Sequence, residues 1–365
     1  MTIAQVHLFF FRLPLVRPLT LKGSTLIHRE GYIIRLRDHD GFTGWGEISP
    51  LPGFSRESSA DAQNQFASIR NQLTGHPVPD SLEKLSGGFQ RWLGGLNLFP
   101  SVRFGVETTV LNLLATHSAI PLHTLLNSAS PSVVSVNALL TGSTDDILKH
   151  AEQMRKEGYR AVKLKVGHLS VHDGIRLTKS VYERLGSVTL RLDANRAWNL
   201  NEAITFTDGI TGCNIEYVEE PCQNYNDSLK LAERTGLPVA LDESLSDIAP
   251  ESLHGLAGVK AVVLKPTLLG GVERSMQFTR EAHKLGMMPV ISSSFESSLG
   301  ILTLANLAAA AGDMHIQAGL DTLSWFEKDI LKPPLKSSQG TLDLSAFNDQ
   351  TPEPDMQMLT EVRDE

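Results

Sequence analysis

The chain has 365 residues and is 41% apolar, 20% charged and 6% aromatic, a composition that excludes a disordered or fibrous protein. Thirty-three Lys and Arg against forty-one Asp and Glu leave a net charge of −8, the wrong sign for a surface that neutralises phosphates, so nucleic acid is not an expected partner. Cys213 and Cys222 are the only cysteines, with no CxxC pair and no His at zinc-ligand spacing. That excludes a disulfide framework and makes a reducing cytoplasm the expected compartment.

The apolar run from Leu8 to Phe11 is interrupted by Arg12 and Arg17 and is followed by no small-residue cleavage site, so it reads as a strand and not a signal peptide. Residues 3–13, 30–38 and 42–47 have strand composition, and Asp40-Gly41 between the last two is a hairpin signal. Helical periodicity follows at 57–73 and at 102–117, where Val102, Val106, Val110 and Leu113 or Leu114 share one stripe. The Gly-, Pro- and Ser-rich stretch 76–99 has no assignable pattern. Residues 1–120 are therefore expected to form an α+β unit.

From residue 131 short apolar strands alternate with amphipathic helices, the pattern of a parallel sheet built from βα units. The expected strands are 132–140, 161–167, 188–194, 215–220, 237–242, 260–266, 287–293 and 316–321. Eight units at about 24 residues each fit a compact α/β barrel over 131–325. Ser143 or Thr144 caps the first helix and Gly158 ends it; Gly186 ends the second. Thr341 to Ser345 is expected to return as a strand to the first domain, so that residues 326–348 complete it, and 349–365 is expected to be a polar tail. The longest apolar stretch, residues 299–311, contains Thr303 and Asn306 and falls short of the roughly 20 residues a membrane span needs, so no membrane partner is expected.

The chemistry lies at the strand ends. Lys163 and Lys165 alternate with Val162, Leu164 and Val166, which puts both ammonium groups on one face of a strand. Asp193, Glu219 with Glu220, Asp242 with Glu243, and Lys265 close the next four strands at steps of 28, 26, 23 and 23 residues from Lys165. These groups converge on the C-terminal face of a barrel, where barrel enzymes keep their active sites. Any one of Asp193, Glu219 or Asp242 alone is as readily a helix N-cap. Three in succession would repel one another without a cation between them, and an all-oxygen set suits a hard divalent ion such as Mg2+, with Mn2+ as an alternative. Lysines within apolar strands are costly to bury without a partner. Lys163 is expected to act on Lys165, lowering its pKa as a like charge.

Weaker candidates have structural readings of similar weight. Gly270 and Gly271 suit a loop turn better than a phosphate cradle, since no P-loop or dinucleotide fingerprint surrounds them. Ser292, Ser293 and Ser294 can hydrogen-bond a substrate carboxylate or pack in the core. The twelve His residues show no HExxH pattern, and neither Cys has an identifiable base.

The succession KxK, Asp, Glu, Asp, Lys on consecutive strands resembles the enolase superfamily, in its muconate-lactonizing-enzyme-like branch. Residues 44–55 (GWGEISPLPGFS), 192–198 (LDANRAW) and 292–300 (SSSFESSLG) narrow the resemblance to the o-succinylbenzoate synthase family and extend it over almost the whole chain. It implies a (β/α)7β modified TIM barrel under an α+β capping domain, whose loops near 18–26 and 50–55 close over the substrate. It also implies Asp193, Glu219 and Asp242 as Mg2+ ligands, Asn195, Glu220 and Glu243 as their outer neighbours, and Ser292, Ser293, Ser294 and Gly319 as substrate-binding. The implied reaction is a syn dehydration of 2-succinyl-6-hydroxy-2,4-cyclohexadiene-1-carboxylate through a metal-stabilised enediolate, in menaquinone biosynthesis. Lys165 is then base and acid, Lys265 the stabilising cation opposite, and Lys163 a third catalytic lysine. N-acylamino-acid racemases and dipeptide epimerases of the same superfamily use the same parts as a two-base pair, and a Schiff-base aldolase on Lys265 or a non-catalytic binding barrel are further alternatives. The single Asp321 in Gly319-Leu320-Asp321 disfavours a dipeptide, whose ammonium calls for an Asp-x-Asp pair. The sequence leaves the oligomeric state open; a monomer is compatible with it.

Overall fold

The computed structural model describes residues 1–21, 24–78, 88–93, 95–348 and 352–363. Strand β1 (Ile3–Leu21) pairs antiparallel with β2 (Ser24–Asp38), and β2 with β3 (Thr43–Ile48) across the Asp40-Gly41 turn. Helix α1 (Ser59–Leu73) starts at Ser58, which forms a capping box with Asp61, and α3 (Pro100–Ser118) packs on β3. The short α2 (Gly88–Trp92) falls in the stretch that the sequence left unassigned, of which 79–87 and 94 lie outside the described residues. Helix α4 (Leu122–Leu126) leads to the barrel.

The expected first barrel strand divides in two. Val133–Ser135 (β4) turns away, and Ala138–Leu140 (β5) begins a seven-stranded parallel sheet. After β5 come α5 (Thr144–Lys156), β6 (Ala161–Lys165), α6 (Val171–Leu185), β7 (Thr189–Asp193), α7 (Leu200–Gly209), β8 (Ile215–Glu219), α8 (Tyr225–Thr235) and β9 (Val239–Leu241). The chain continues through β10 (Val259–Leu264), α9 (Pro266–Leu269), α10 (Val272–Lys284), β11 (Met288–Ile291) and α11 (Ser298–Ala310). Ser143 caps α5 and Gly186 follows α6, as expected.

Residues 316–321 do not form the eighth strand that was expected. Ala318 bridges to Val136 and Gly319 to Ser292, so the sheet closes through two isolated parallel bridges. The approach is so tight that a Cβ on Gly319 would stand 2.4 Å from Ser292 Oγ. Gly319 therefore has a closure role.

Alternation along the strands makes two cores. Val162, Leu164, Leu190, Leu192, Val218, Leu241, Val262 and Leu264 face outward into the main core, whereas Tyr217, Ala240, Ala261, Val263 and Val290 form a separate cluster. In period-2 geometry these last residues share the inner face with Lys163, Asp193, Glu219 and Lys265. The fully buried Arg191 lies 5.2 Å from the centroid of the Tyr217 ring, donates to Asn137 Oδ1 (2.9 Å) and the Gln317 carbonyl (2.6 Å) and pairs with Glu216 (2.5 Å).

The C-terminal expectations need correction. After β12 (Leu331–Lys332) and β13 (Ser337–Ser338), Thr341–Asp343 (β14) pairs with β13 and β4 rather than returning to the cap sheet. Beyond it, β15 (Glu353–Pro354) pairs with β12, and it is Leu359–Glu361 (β16) that adds an edge strand to β1. Backbone pairing needs no apolar side chain, which is why polar composition concealed it.

Cap and barrel meet through buried charge. Arg29 of β2 donates to the carbonyls of Ser49 and Pro50 in the cap (3.1 and 3.0 Å) and to those of Phe295 and Ser294 in the barrel (3.1 and 3.4 Å). Glu47 of β3 accepts from the Ser297 and Gly300 amides at the start of α11, both at 3.0 Å. Glu107 of α3 accepts from the Glu273 amide in α10 (3.0 Å) and from Arg103 (2.8 Å). Its carboxylate lies where a Cβ on Gly271 would stand, 2.5 Å from Oε2, so the Gly270-Gly271 turn accommodates a cap side chain and not a phosphate.

Burial pushes the carboxyls of Glu47 and Glu107 up to about 7 from an ordinary 4.5. Between these values the folded state binds more protons than the unfolded chain, so the stability these groups contribute is complete below about pH 4.5 and lost as pH rises through 7. Melting temperature in chelator is expected to fall across that window, each group accounting for on the order of 2–3 kcal/mol. A Glu47→Gln, Glu107→Gln double variant should show a flatter profile, and an unchanged slope would contradict this assignment.

Candidate active site

Parallel register places Lys165 beside Asp193, and Asp193 beside Glu219, so three adjacent strands end on one row of charge. Asp242 follows β9 and Lys265 follows β10 at the same rim. The Lys163 ammonium reaches up to this row, 2.7 Å from Glu219 Oε2 and 3.0 Å from Asp193 Oδ2. Lys165 donates to Asn195 Oδ1 (3.0 Å) and stands 3.6 Å from Asp193 Oδ2. Lys265 forms a direct ion pair with Asp242. All six residues thus meet at one rim, and Lys165 is the most accessible of its lysines, 34% exposed against 12% for Lys163 and 14% for Lys265.

The charges control one another. Burial alone would push the Lys163 and Lys265 ammonium groups down, but the carboxylates around each outweigh it and hold both above the ordinary lysine value. Burial likewise opposes ionisation of Asp193, yet Lys163, Lys165 and Lys265 hold its carboxyl well below the usual range. Glu219 goes the other way: burial, then the negative charges of Asp193 and Asp242, push it well up despite Lys163. Lys163 is therefore more than a like charge beside Lys165, since it bridges two carboxylates.

The loops beyond the strands hold this rim in place. Glu220, fully buried, accepts from the Asp242 and Ser244 amides (2.9 and 2.8 Å), from Ser244 Oγ (2.8 Å) and from Arg196 Nε (3.1 Å). It orients the segment that carries Asp242. The Asn195 amide donates to Asp193 Oδ1 (3.0 Å) while its side chain holds Lys165. Glu243 is half-buried beside Asp242, and desolvation followed by that neighbouring charge raises its carboxyl. Asn195, Arg196, Glu220 and Phe295 all have positive φ without being Gly, a strain that surrounding structure must sustain and that gathers at functional sites.

The seventh-strand serines are largely engaged within the protein. Ser292 Oγ donates to the Gly319 carbonyl (3.3 Å) and Ser293 Oγ contacts Thr322 Oγ1 (2.9 Å) and accepts from the Phe295 amide (2.8 Å). Ser294 is fully buried, its amide donating to Glu296 (2.6 Å). A cavity of about 690 Å3 opens instead between Lys165, Asn195 and Phe295 of the barrel and Leu19, Leu21 and Phe54 of the cap. Residues 22 and 23, within the expected closing loop 18–26, lie outside the described residues.

Comparison with known proteins shows the family and the fold. Residues 146–348 match the family described as enolase C-terminal domain-like, and residues 3–113 match the MenC N-terminal domain. The chain is 34% identical over 341 residues to o-succinylbenzoate synthase of Vibrio cholerae, covering 91% of this chain and 93% of that protein. The chain belongs to the o-succinylbenzoate synthase family of the enolase superfamily. It is also 33% identical to the protein PHYLLO, chloroplastic, of Arabidopsis thaliana, spanning only 20% of that longer protein. Among solved structures, a dipeptide epimerase from Enterococcus faecalis complexed with Mg and a dipeptide has the same fold, with a TM-score of 0.84 and 20% identity over 99% of this chain and all of the other.

In this member of the o-succinylbenzoate synthase family, the donor chemistry fits a hard divalent cation. Asp193, Glu219 and Asp242 are 1%, 0% and 5% exposed and offer only oxygen donors, and burial together with the charges of Asp193 and Asp242 raises the Glu219 carboxyl, a shift that a cation among them would oppose. Their oxygens do not close on one point: Lys163 lies between the first two and Lys265 holds the third. Among the described residues, ligand atoms within 4.8 Å of one another occur at Asp38, Asp40 and His117, where Asp40 and His117 are exposed and Asp38 serves the β2–β3 turn by accepting from the Phe42 amide. Asp193→Asn is expected to weaken Mg2+ binding by at least the roughly 10- to 100-fold that loss of an outer partner costs; calorimetric titration giving wild-type affinity would refute the ligand assignment.

Proposed function

We propose that this chain catalyses the syn dehydration of 2-succinyl-6-hydroxy-2,4-cyclohexadiene-1-carboxylate to o-succinylbenzoate, a hydro-lyase step of menaquinone biosynthesis. The observation that carries the reading is the disposition of Lys165 and Lys265 about the carboxylate rim, in a chain whose relatives of that name match over nearly its whole length. The chemical difficulty is a weakly acidic C–H beside a carboxylate, because its loss adds charge to oxygens already negative. A divalent cation held by Asp193, Glu219 and Asp242, Mg2+ by donor hardness, supplies Lewis-acid charge to that carboxylate.

The side chains do the rest. Lys165, held by Asn195 and facing the cavity, takes the proton in its neutral form and, once an ammonium, returns it to the departing hydroxyl on the same face as water. Lys265, paired with Asp242, keeps a fixed positive charge toward the developing anion. Lys163 ties Asp193 to Glu219 and so fixes the spacing of the rim. Asp321 is the single acidic residue of Gly319-Leu320-Asp321, where an Asp-x-Asp pair would hold a dipeptide ammonium, and its carboxylate already accepts from Tyr159 Oη at 2.7 Å. That disfavours dipeptide epimerisation.

An ultraviolet assay for o-succinylbenzoate, with and without chelator, tests substrate, reaction and cation dependence together. Lys165→Ala is expected to lower turnover by about 10²- to 10⁴-fold, and near-wild-type turnover would remove Lys165 from the role of base. Lys265→Arg should keep part of the dehydration but none of any racemisation of acylamino acids, because Arg does not release its proton at ordinary pH. Complete loss of dehydration in a folded Lys265→Arg variant would contradict the fixed-charge role.

A further inference from the structure

The cavity lined by Lys165 is lined by a second cation, Arg17. Between Pro14 and Leu19 the pairing of β1 with β2 is interrupted. There β1 leans on the segment after the barrel: Leu15 bridges to Phe326, and the Glu327 amide donates to the Pro14 carbonyl (3.0 Å). Arg17, in the middle of this interruption, lines the cavity and stacks its guanidinium 4.0 Å over the ring of Trp325. Trp325 is buried and itself packs edge-on against Phe295, with ring centroids 5.4 Å apart.

This arrangement fixes a positive charge without using its donors. Stacking engages the face of the guanidinium and leaves the N–H edge for a planar anion such as a carboxylate. Among the described residues no carboxylate pairs with Arg17. Besides Arg17 and Lys165 the cavity lining includes apolar side chains, among them Leu19, Leu21, Phe54 and Leu139.

We propose that Arg17, held on Trp325, binds a second carboxylate of the substrate in the cavity and so selects substrates with an acidic side chain. The inference rests on the reaction proposed above, whose substrate has a ring carboxylate and a succinyl carboxylate. The ring carboxylate belongs at the Lys165 rim, the succinyl chain packs against the apolar side chains, and its carboxylate meets the guanidinium edge.

The test uses the full-length protein and two inhibitors, o-succinylbenzoate and 2-butyrylbenzoate, which differ by a methyl in place of the distal carboxylate. Wild type is expected to prefer o-succinylbenzoate by about 10- to 100-fold, the scale of a hydrogen bond to a charged group. Arg17→Gln should erase that preference by weakening o-succinylbenzoate alone, and should raise KM for the cyclohexadiene substrate more than it lowers kcat. Arg17→Lys should recover part of the preference. Equal weakening of both inhibitors, or an unchanged preference in an Arg17→Gln enzyme that still turns over, overturns the inference and leaves the reaction standing. No turnover by the wild type overturns the reaction and the inference with it.

Discussion

Buried charge at the open end of the barrel has to be compensated group by group, and that requirement orders the rest of the structure. Lys163 answers Asp193 and Glu219, and Lys265 answers Asp242, each in a setting where an unpaired charge would cost several kcal/mol. Lys165 is the least committed of the three, contacting Asn195 and standing further from Asp193. That lesser commitment suits a group that must gain and lose a proton. The strained backbone at Asn195, Arg196 and Glu220 follows from the same constraint, since the loops must bend sharply to direct side chains back over the strand ends.

The cap is fastened by the same kind of interaction in a different place. Glu47 and Glu107 each set a carboxylate against the N-terminal turn of a barrel helix, where unpaired amides and the helix dipole favour negative charge. Arg29 binds four carbonyls, two on each side of the joint, and so holds the cap residues Ser49 and Pro50 against the segment carrying the strained Phe295. Phe54 and Phe295 both face the cavity, so the polar joint sets the distance between its cap wall and its barrel wall.

Much of the site was legible in the sequence because period-2 alternation is strict where both faces of a strand are buried. Lysines at 163 and 165 between Val162, Leu164 and Val166 have only one geometric reading, and acidic residues at unit spacing locate the rim. Arg29 and Arg17 were not legible. Each is a single Arg in an antiparallel strand whose partner lies far along the chain, at Phe295 or Trp325, and no local pattern marks such a contact. The resemblance implied Gly319 as substrate-binding, and the structure adds a packing reason for its lack of a side chain, the close approach to Ser292. The polar end of the chain misled for a simpler reason: a three-residue strand is held by its backbone, and β16 needed only an open edge on β1.

That edge has a consequence for how the molecule is made. Phe9 pairs with Glu361 and Phe11 with Leu359, so this stretch of the first strand's outer edge has no partner on the ribosome until residues 359–361 have been synthesised. An unpaired edge is a template for association with other chains, and contacts of such sequence separation form late. The cap sheet is thus begun early and completed only across the whole barrel, and the interval between is a period in which a nascent chain is exposed to wrong partners.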